Sequence, residues 1–139
     1  MKPSKVIHKS RLIAINGHRI LVLQKVGAAK KYTLPGGVPK KKETDILGLV
    51  RETLEEIGIA IREDELQFFI SLNSKNRKKQ KVKKHYFLFK KPLKTAFNKE
   101  PFKFSALLWV TWYDALEYLD KEDKKAVALY FNGLMQKAN

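Results

Sequence analysis

Three glutamates crowd into five positions of the chain: Glu52, Glu55 and Glu56. The segment that carries them, Asp45–Ile57, has helical periodicity, with Thr44 placed to cap its start and Gly58 to stop its end. At 100° per residue the three carboxylates fall within an arc of about 100°, with Gly48 near its middle and Asp45 close by. Leu47, Val50, Leu54 and Ile57 gather on the opposite side at spacings of three, four and three, and are expected to face the core. Like charges at these spacings cost an isolated helix roughly 0.2–0.5 kcal/mol per pair. Yet no lysine interrupts the helix in a chain that has 29 lysines and arginines. Carboxylates grouped in this way suit Mg²⁺ or Mn²⁺, hard cations that take oxygen ligands and keep waters for exchange with a phosphate. A glutamate-rich helix face is by itself more often a solvated surface, so its context decides.

The charge distribution is part of that context. The formal net charge is +15, which favours polyanionic partners. From Glu43 to Glu65, however, eight acids stand against two bases, an acidic island in a basic chain. There is no cysteine, which excludes disulfides, thiolate metal sites and a cysteine nucleophile. With 139 residues, 44% hydrophobic and 31% charged, a single domain over 1–139 is expected. No apolar run approaches the roughly 20 residues of a bilayer crossing, and MKPSKVIHKS lacks an apolar signal core, so a cytoplasmic protein with no membrane partner is expected.

The elements that must position the acidic helix follow from local pattern. Lys5–Ile15 and Arg19–Val26 read as antiparallel strands joined at Asn16-Gly17, and Tyr32–Leu34 as a short strand stopped by Pro35-Gly36-Gly37. Leu66–Leu72 and His85–Phe89 read as two further strands. Between them, Asn73–Lys84 reads as a polar loop containing Lys75, Arg77, Lys78, Lys79, Lys81, Lys83 and Lys84. A last strand at Leu107–Val110 leads to a short helix near Tyr113–Leu119. A terminal helix follows at Glu122–Gln136, with Ala126, Leu129, Tyr130 and Leu134 inward. This order suits a mixed sheet with helices packed on it.

Gly37, five residues, Glu43, seven residues, then Arg51-Glu52-Thr53-Leu54-Glu55-Glu56-Ile57-Gly58-Ile59 resembles the Nudix box of the Nudix hydrolase family. Every specified glycine, glutamate and arginine is matched over 23 residues. Leu34-Pro35-Gly36 also suits the family, and Thr53 departs mildly from an aliphatic position. The resemblance implies an α/β fold: a Nudix-type α/β/α sandwich with a mixed β-sheet and the Nudix loop-helix-loop. It also implies a Mg²⁺- or Mn²⁺-dependent hydrolase cleaving a diphosphate (pyrophosphate) linkage in a nucleotide or nucleoside diphosphate derivative by metal-activated water. Glu55 and Glu56 would be the principal metal ligands, Glu52 a further ligand or the base for water, and the Gly36 carbonyl another ligand. Arg51, on the flank of the acidic face, would pair with Glu43 or Glu52 and fix a carboxylate rotamer.

Lys30, Lys31 and Lys40 border the box and would attract polyphosphate, although lysine runs are more often solvated surface. Family members often add a carboxylate from outside the box, and between Leu66 and Tyr113 the only acid is Glu100. His8, His18 and His85 show no ligand spacing and read as structural or surface residues. Trp109 and Trp112 read as core. The signs of ADP-ribose and dinucleoside-polyphosphate members are absent, so the resemblance assigns no substrate. The basic loop 75–84 would suit an RNA chain whose 5′ phosphates enter the site. The competing reading is a noncatalytic Nudix-like module that binds nucleotide or RNA through that loop.

Overall fold

In the computed structural model the described residues are 5–137 apart from 92, 94 and 95, with side chains described up to residue 133. The strands are β1 (Ile7–Asn16), β2 (Arg19–Lys25), β3 (Tyr32–Thr33), β4 (Gly36–Gly37), β5 (Gln67–Lys75), β6 (Lys81–Phe89) and β7 (Phe104–Thr111). The helices are α1 (Asp45–Ile57), α2 (Trp112–Ala115) and α3 (Lys121–Lys137), with single 3₁₀ turns at Glu63–Glu65 and Leu116–Tyr118. The strands follow the order β3-β2-β1-β6-β5, β4 pairing with β1 and β7 with β2. Only β1 and β6 run parallel, so the sheet is mixed as expected.

Alternation along the central strands builds two cores. Ile13, Ile20, Val22, Tyr86 and Leu88 meet Ala126, Val127, Tyr130 and Phe131 of α3 on one face. Leu12, Ala14, Leu21, Leu23, Phe87 and Phe89 meet Leu49 and Ile57 of α1 on the other. The period of two in the strands thus assigns one helix layer to each face. In α3, Leu129 is exposed rather than inward, and Val127 and Phe131 take the buried positions. The expectation for Leu134 lies outside the described side chains.

Two local readings change. The polar loop expected at Asn73–Lys84 contracts, because β5 continues to Lys75 and β6 begins at Lys81. The turn is closed by Asn76, whose Oδ1 accepts the N–H groups of Lys78 and Gln80. Lysines mask the alternation here: Val82, Lys84 and Tyr86 all turn inward. The Gly36-Gly37 stop is itself a short strand, registered on Ser10 and Arg11 of β1.

The core-facing stripe of α1 also differs from expectation. Leu47 and Leu54 are exposed, whereas Gly48, Leu49, Thr53, Glu56 and Ile57 are buried. The helix is turned by about 100° from its most hydrophobic orientation, which brings one edge of the carboxylate arc against the sheet. Thr53 fits this packing: its hydroxyl donates to the Val50 carbonyl at 2.9 Å while the side chain is fully buried. Both ends of α1 are held. Thr44 Oγ1 accepts the Leu47 N–H, and Gly58, at φ 71°, returns its N–H to Leu54. The incoming segment adds Phe97 and Lys99 N–H bonds to the Ile57 and Glu56 carbonyls.

Candidate active site

The glycine strand sets the position of the acidic helix. A Cβ on Gly36, whose φ is 150°, would lie 1.9 Å from the Ser10 carbonyl oxygen, so no other residue fits that strand position. A Cβ on Gly37 would lie 2.6 Å from Glu52 Cδ, so the bare backbone makes the space that Glu52 occupies. On the helix, a Cβ on Gly48 would press on Pro39 at 3.0 Å, and its absence lets the 38–43 loop fold against α1.

The three glutamates grade from inside to outside. Glu56 is 3% exposed, and its Oε1 accepts the Gly36 N–H at 2.8 Å. Burial pushes its pKa up to about 7, against the pull of the Gly36 hydrogen bond and with a further push from Glu52. The Glu52 side chain is 17% exposed and that of Glu55 48% exposed. The arc read from the sequence therefore runs from the sheet out to solvent.

Arg51 organises this arc. Its Nε lies 2.9 Å from Glu43 Oε2, and its Nη1 donates to Glu52 at 3.0 Å and to Glu55 at 3.2 Å. Its Nη2 reaches the Val38 carbonyl at 3.3 Å. Hydrogen bonding to Glu43 first, then to Glu52 and Glu55, raises the guanidinium's pKa, and Arg51 in turn holds Glu43 below the usual carboxylate range. Glu43 also accepts the Lys40 N–H, which closes the loop over the helix. One guanidinium thus fixes three carboxylate rotamers.

The remaining candidates separate from this centre. Lys30 lies 4.3 Å from the Tyr118 ring centroid and 5.5 Å from that of Tyr32, a cation–π position beside a cavity of about 470 Å³ lined in part by Trp109, Asp114 and Glu117. Lys31 borders an adjoining cavity with Asp120, and both lysines flank Tyr32, part of the α3-side core. Lys40 borders the box through its backbone, with its side chain exposed. Glu100 pairs with Lys103 at 3.8 Å, and none of its described contacts reaches the box carboxylates. Trp112 stacks on Phe131 and Trp109 packs against the α1-side core, each only partly buried at the edge of its core.

Residues that local sequence did not single out form a second polar centre on the other face. Lys84 is 5% exposed, and its Nζ lies 2.7 Å from Asp120 Oδ2 and 3.6 Å from Asp123 Oδ1. Tyr86 donates its hydroxyl proton to Asp123 at 2.6 Å. The Asp123 carboxyl is pushed up by burial, and among the described residues Arg11 Nε and Asp123 Oδ2 have no hydrogen-bond partner. The signal was present in the inward register of Lys84, but the lysine-rich stretch concealed it. Of the basic loop, Lys75, Arg77, Lys78, Lys79 and Lys81 remain exposed.

Comparison with known proteins places this arrangement. A sequence model described as the NUDIX domain matches residues 8–130. No curated protein gives a significant match. The fold is similar to that of a MutT NUDIX hydrolase from Burkholderia pseudomallei, with 21% identity, a TM-score of 0.77 and coverage of 88% of this chain and 96% of that one. It is likewise similar to the E. coli ORF135 protein, with 22% identity, a TM-score of 0.77 and coverage of 93% and 91%. An Ap4A hydrolase from C. elegans is 18% identical, with a TM-score of 0.70 and coverage of 94% and 98%. Among the described residues no helix is long and apolar enough to cross a membrane. With the domain matched over nearly its whole length and the box glutamates set against the glycine strand, the chain belongs to the Nudix family and is a Nudix hydrolase.

Proposed function

We propose that this protein is a divalent-metal-dependent hydrolase of a diphosphate linkage in a nucleotide or nucleoside diphosphate derivative, with Glu52, Glu55 and Glu56 as its metal-binding and catalytic carboxylates. The observation that carries the reading is their graded arc against Gly36-Gly37, held by Arg51. The donor set is all oxygen and the missing Cβ of Gly37 leaves Glu52 its space, which fits Mg²⁺ or Mn²⁺. When bound, such ions neutralise diphosphate charge and lower the pKa of a coordinated water.

The chain's own residues supply position and charge. Glu56, buried and anchored on the Gly36 N–H, is a fixed ligand whose burial disfavours ionisation until a cation arrives. Glu55, the most exposed of the three, would hold the ion from the solvent side, and the Gly36 carbonyl would be a further ligand. Glu52, between them, is placed as a further ligand or as the base that takes a proton from the attacking water. Arg51 acts as a positioning residue through Glu52 and Glu55. Lys40 borders the box where the incoming phosphates would lie, and Lys30 and Lys31 are set further off beside Tyr32.

The test is release of phosphate, pyrophosphate or nucleoside monophosphate from a panel of nucleotides, nucleotide sugars, dinucleoside polyphosphates and 5′-triphosphate RNA, with Mg²⁺ or Mn²⁺. Turnover that requires metal and collapses in Glu55→Gln and Glu56→Gln supports the hydrolase reading, and the product pattern names the substrate class. Silence across the panel with tight, salt-sensitive RNA binding would shift the reading to a binding module using the exposed lysines of the β5–β6 turn.

A further inference from the structure

The histidines that showed no ligand spacing in sequence converge in space. His8 lies on β1 and His85 on β6, 77 positions apart in the chain, yet His8 Nδ1 and His85 Nε2 are 2.9 Å apart. The rings are within 6° of parallel with centroids 5.2 Å apart, so the two nitrogens meet edge to edge. Asp45, the first residue of α1, brings its Oδ2 to 3.4 Å from His85 Nε2. All three side chains offer a ligand atom within 4.8 Å of the others.

We propose that His8, His85 and Asp45 form a second metal site, for a borderline transition ion such as Zn²⁺, that clamps the first turn of the Nudix helix to the sheet. Two imidazoles and one carboxylate are the donors of three-ligand zinc centres, which keep a fourth position for water. Ligand atoms about 2.0–2.2 Å from a tetrahedral ion stand roughly 3.3–3.5 Å apart. The His85–Asp45 spacing already has this value. The two imidazole nitrogens now face each other across a hydrogen bond, so an ion requires the exposed His8 ring to turn its Nδ1 away from His85 Nε2 and open that spacing by about 0.4 Å, with Asp45 and His8 ligand atoms within 4.8 Å of one another.

The surroundings fit a ligand role. Ser71 Oγ lies 2.7 Å from His85 Nδ1, so with Nε2 turned to an ion, the Nδ1 proton is donated to serine, the outer hydrogen bond that orients metal-bound imidazoles. Ser10 donates its hydroxyl to the Asp45 carbonyl at 3.0 Å and fixes the backbone from which the third ligand projects. Asp45 belongs to the box helix, but the site is distinct from the box glutamates. Asp45 precedes Glu52 by seven residues, about 10 Å along a helix, and the nitrogen donors of His8 and His85 select against the hard ions that the glutamates suit.

The experiment is a Zn²⁺ titration of the full chain by calorimetry in excess Mg²⁺, which occupies the oxygen sites. Co²⁺ absorption and thermal unfolding run in parallel. The expected result is one Zn²⁺ per chain, intense visible Co²⁺ bands of low coordination number, and a rise in Tm with Zn²⁺. His8→Ala, a surface change that leaves the core untouched, should weaken Zn²⁺ binding at least tenfold and remove the Co²⁺ bands and the Tm shift. Asp45→Asn and His85→Ala should do the same, whereas Glu56→Gln should retain all three signals. Zn²⁺ binding of unchanged affinity in His8→Ala, loss of it in Glu56→Gln alone, or no binding by the parent chain would each overturn the proposal. None of these outcomes depends on whether the protein turns over a nucleotide.

Discussion

Two polar centres lie on opposite faces of one sheet, and their charge balance differs. Arg51 meets Glu43, Glu52 and Glu55, and Glu56 lies deeply buried on the same helix, four carboxylates to one guanidinium. On the α3 face, Asp120 and Asp123 are met by Lys84, with Arg11 close enough to favour both carboxylates in their charged form. In the second centre Lys84 pairs with both carboxylates, although Asp123 Oδ2 and Arg11 Nε have no hydrogen-bond partner among the described residues, and these pairs link α3 to β6. The first keeps an excess of carboxylates, with Lys103 and Arg11 offsetting the Glu56 charge less than burial disfavours it. A buried cluster compensated within the chain needs nothing from outside, whereas under the proposed function an external cation would complete the uncompensated one.

The comparison breaks first on activity. Glu56→Gln keeps an oxygen to accept the Gly36 N–H but loses the charge, and hydrolysis measured at saturating Mg²⁺ should fall by about 10³-fold or more, as for other residues essential to a metal-assisted step. Lys84→Met should instead be read in stability. Leaving Asp123 buried without its cation should cost about 3–5 kcal/mol in a denaturant titration. A loss below 1 kcal/mol would mean that the α3 centre is not held together by this pair.

The sign of the next effect separates the two centres most sharply. The Glu56 carboxyl, pushed up to about 7 in the fold from an ordinary 4.5, binds its proton more tightly in the folded than in the unfolded chain. Its contribution to metal-free stability is therefore fully present below about pH 4.5 and is lost as the pH rises to about 7, a decline of roughly 3 kcal/mol from this group. Metal-free Glu56→Gln should consequently be more stable than the parent chain at pH 8 and should lack this part of the decline. Mg²⁺ should raise the Tm of the parent and leave that of the variant nearly unchanged. If Glu56→Gln were destabilising at pH 8 without metal, the uncompensated-charge account would fail.

Smaller effects test how the arc is held. Arg51→Ala frees the rotamers of Glu52 and Glu55 and should reduce activity or metal affinity by about 10–100-fold, the usual cost of removing a partner that orients metal ligands. Gly37→Ala places a methyl group into Glu52 and should lower kcat by about tenfold, with a smaller change in KM, because it misplaces a carboxylate rather than removing one. Equal losses in a Glu52→Gln background would show that Gly37 acts through something other than Glu52.

Legibility differed between the two centres for a physical reason. The limits of α1, with Thr44 at its start and Gly58 at its end, follow from capping chemistry contained within fifteen consecutive residues. The Arg51–Glu43 pairing was likewise readable, since both residues lie in one loop-helix unit. The orientation of α1 was not. Hydrophobicity favoured burying Leu47 and Leu54, but the close approach of Gly36-Gly37 and the Gly36–Glu56 hydrogen bond turned the helix so that Glu56 faces inward. The inward Lys84 and the turn at Asn76–Gln80 were hidden because lysines in a strand look like a solvated loop until the partner strand sets the register.

By itself, then, the sequence determined the helix, its caps, the spacing of Glu52, Glu55 and Glu56, and the acidic island in a basic chain, since all of these depend on residues within a few turns of one another. Tertiary structure alone decided which glutamate is buried, that Lys84 meets Asp120 and Asp123, and that His8, His85 and Asp45 share one point in space. Those outcomes depend on strand pairing between distant segments, the parallel β1–β6 register above all. Local propensity carries no record of such a pairing, because the free energy that sets it comes from burying two faces of a sheet at once.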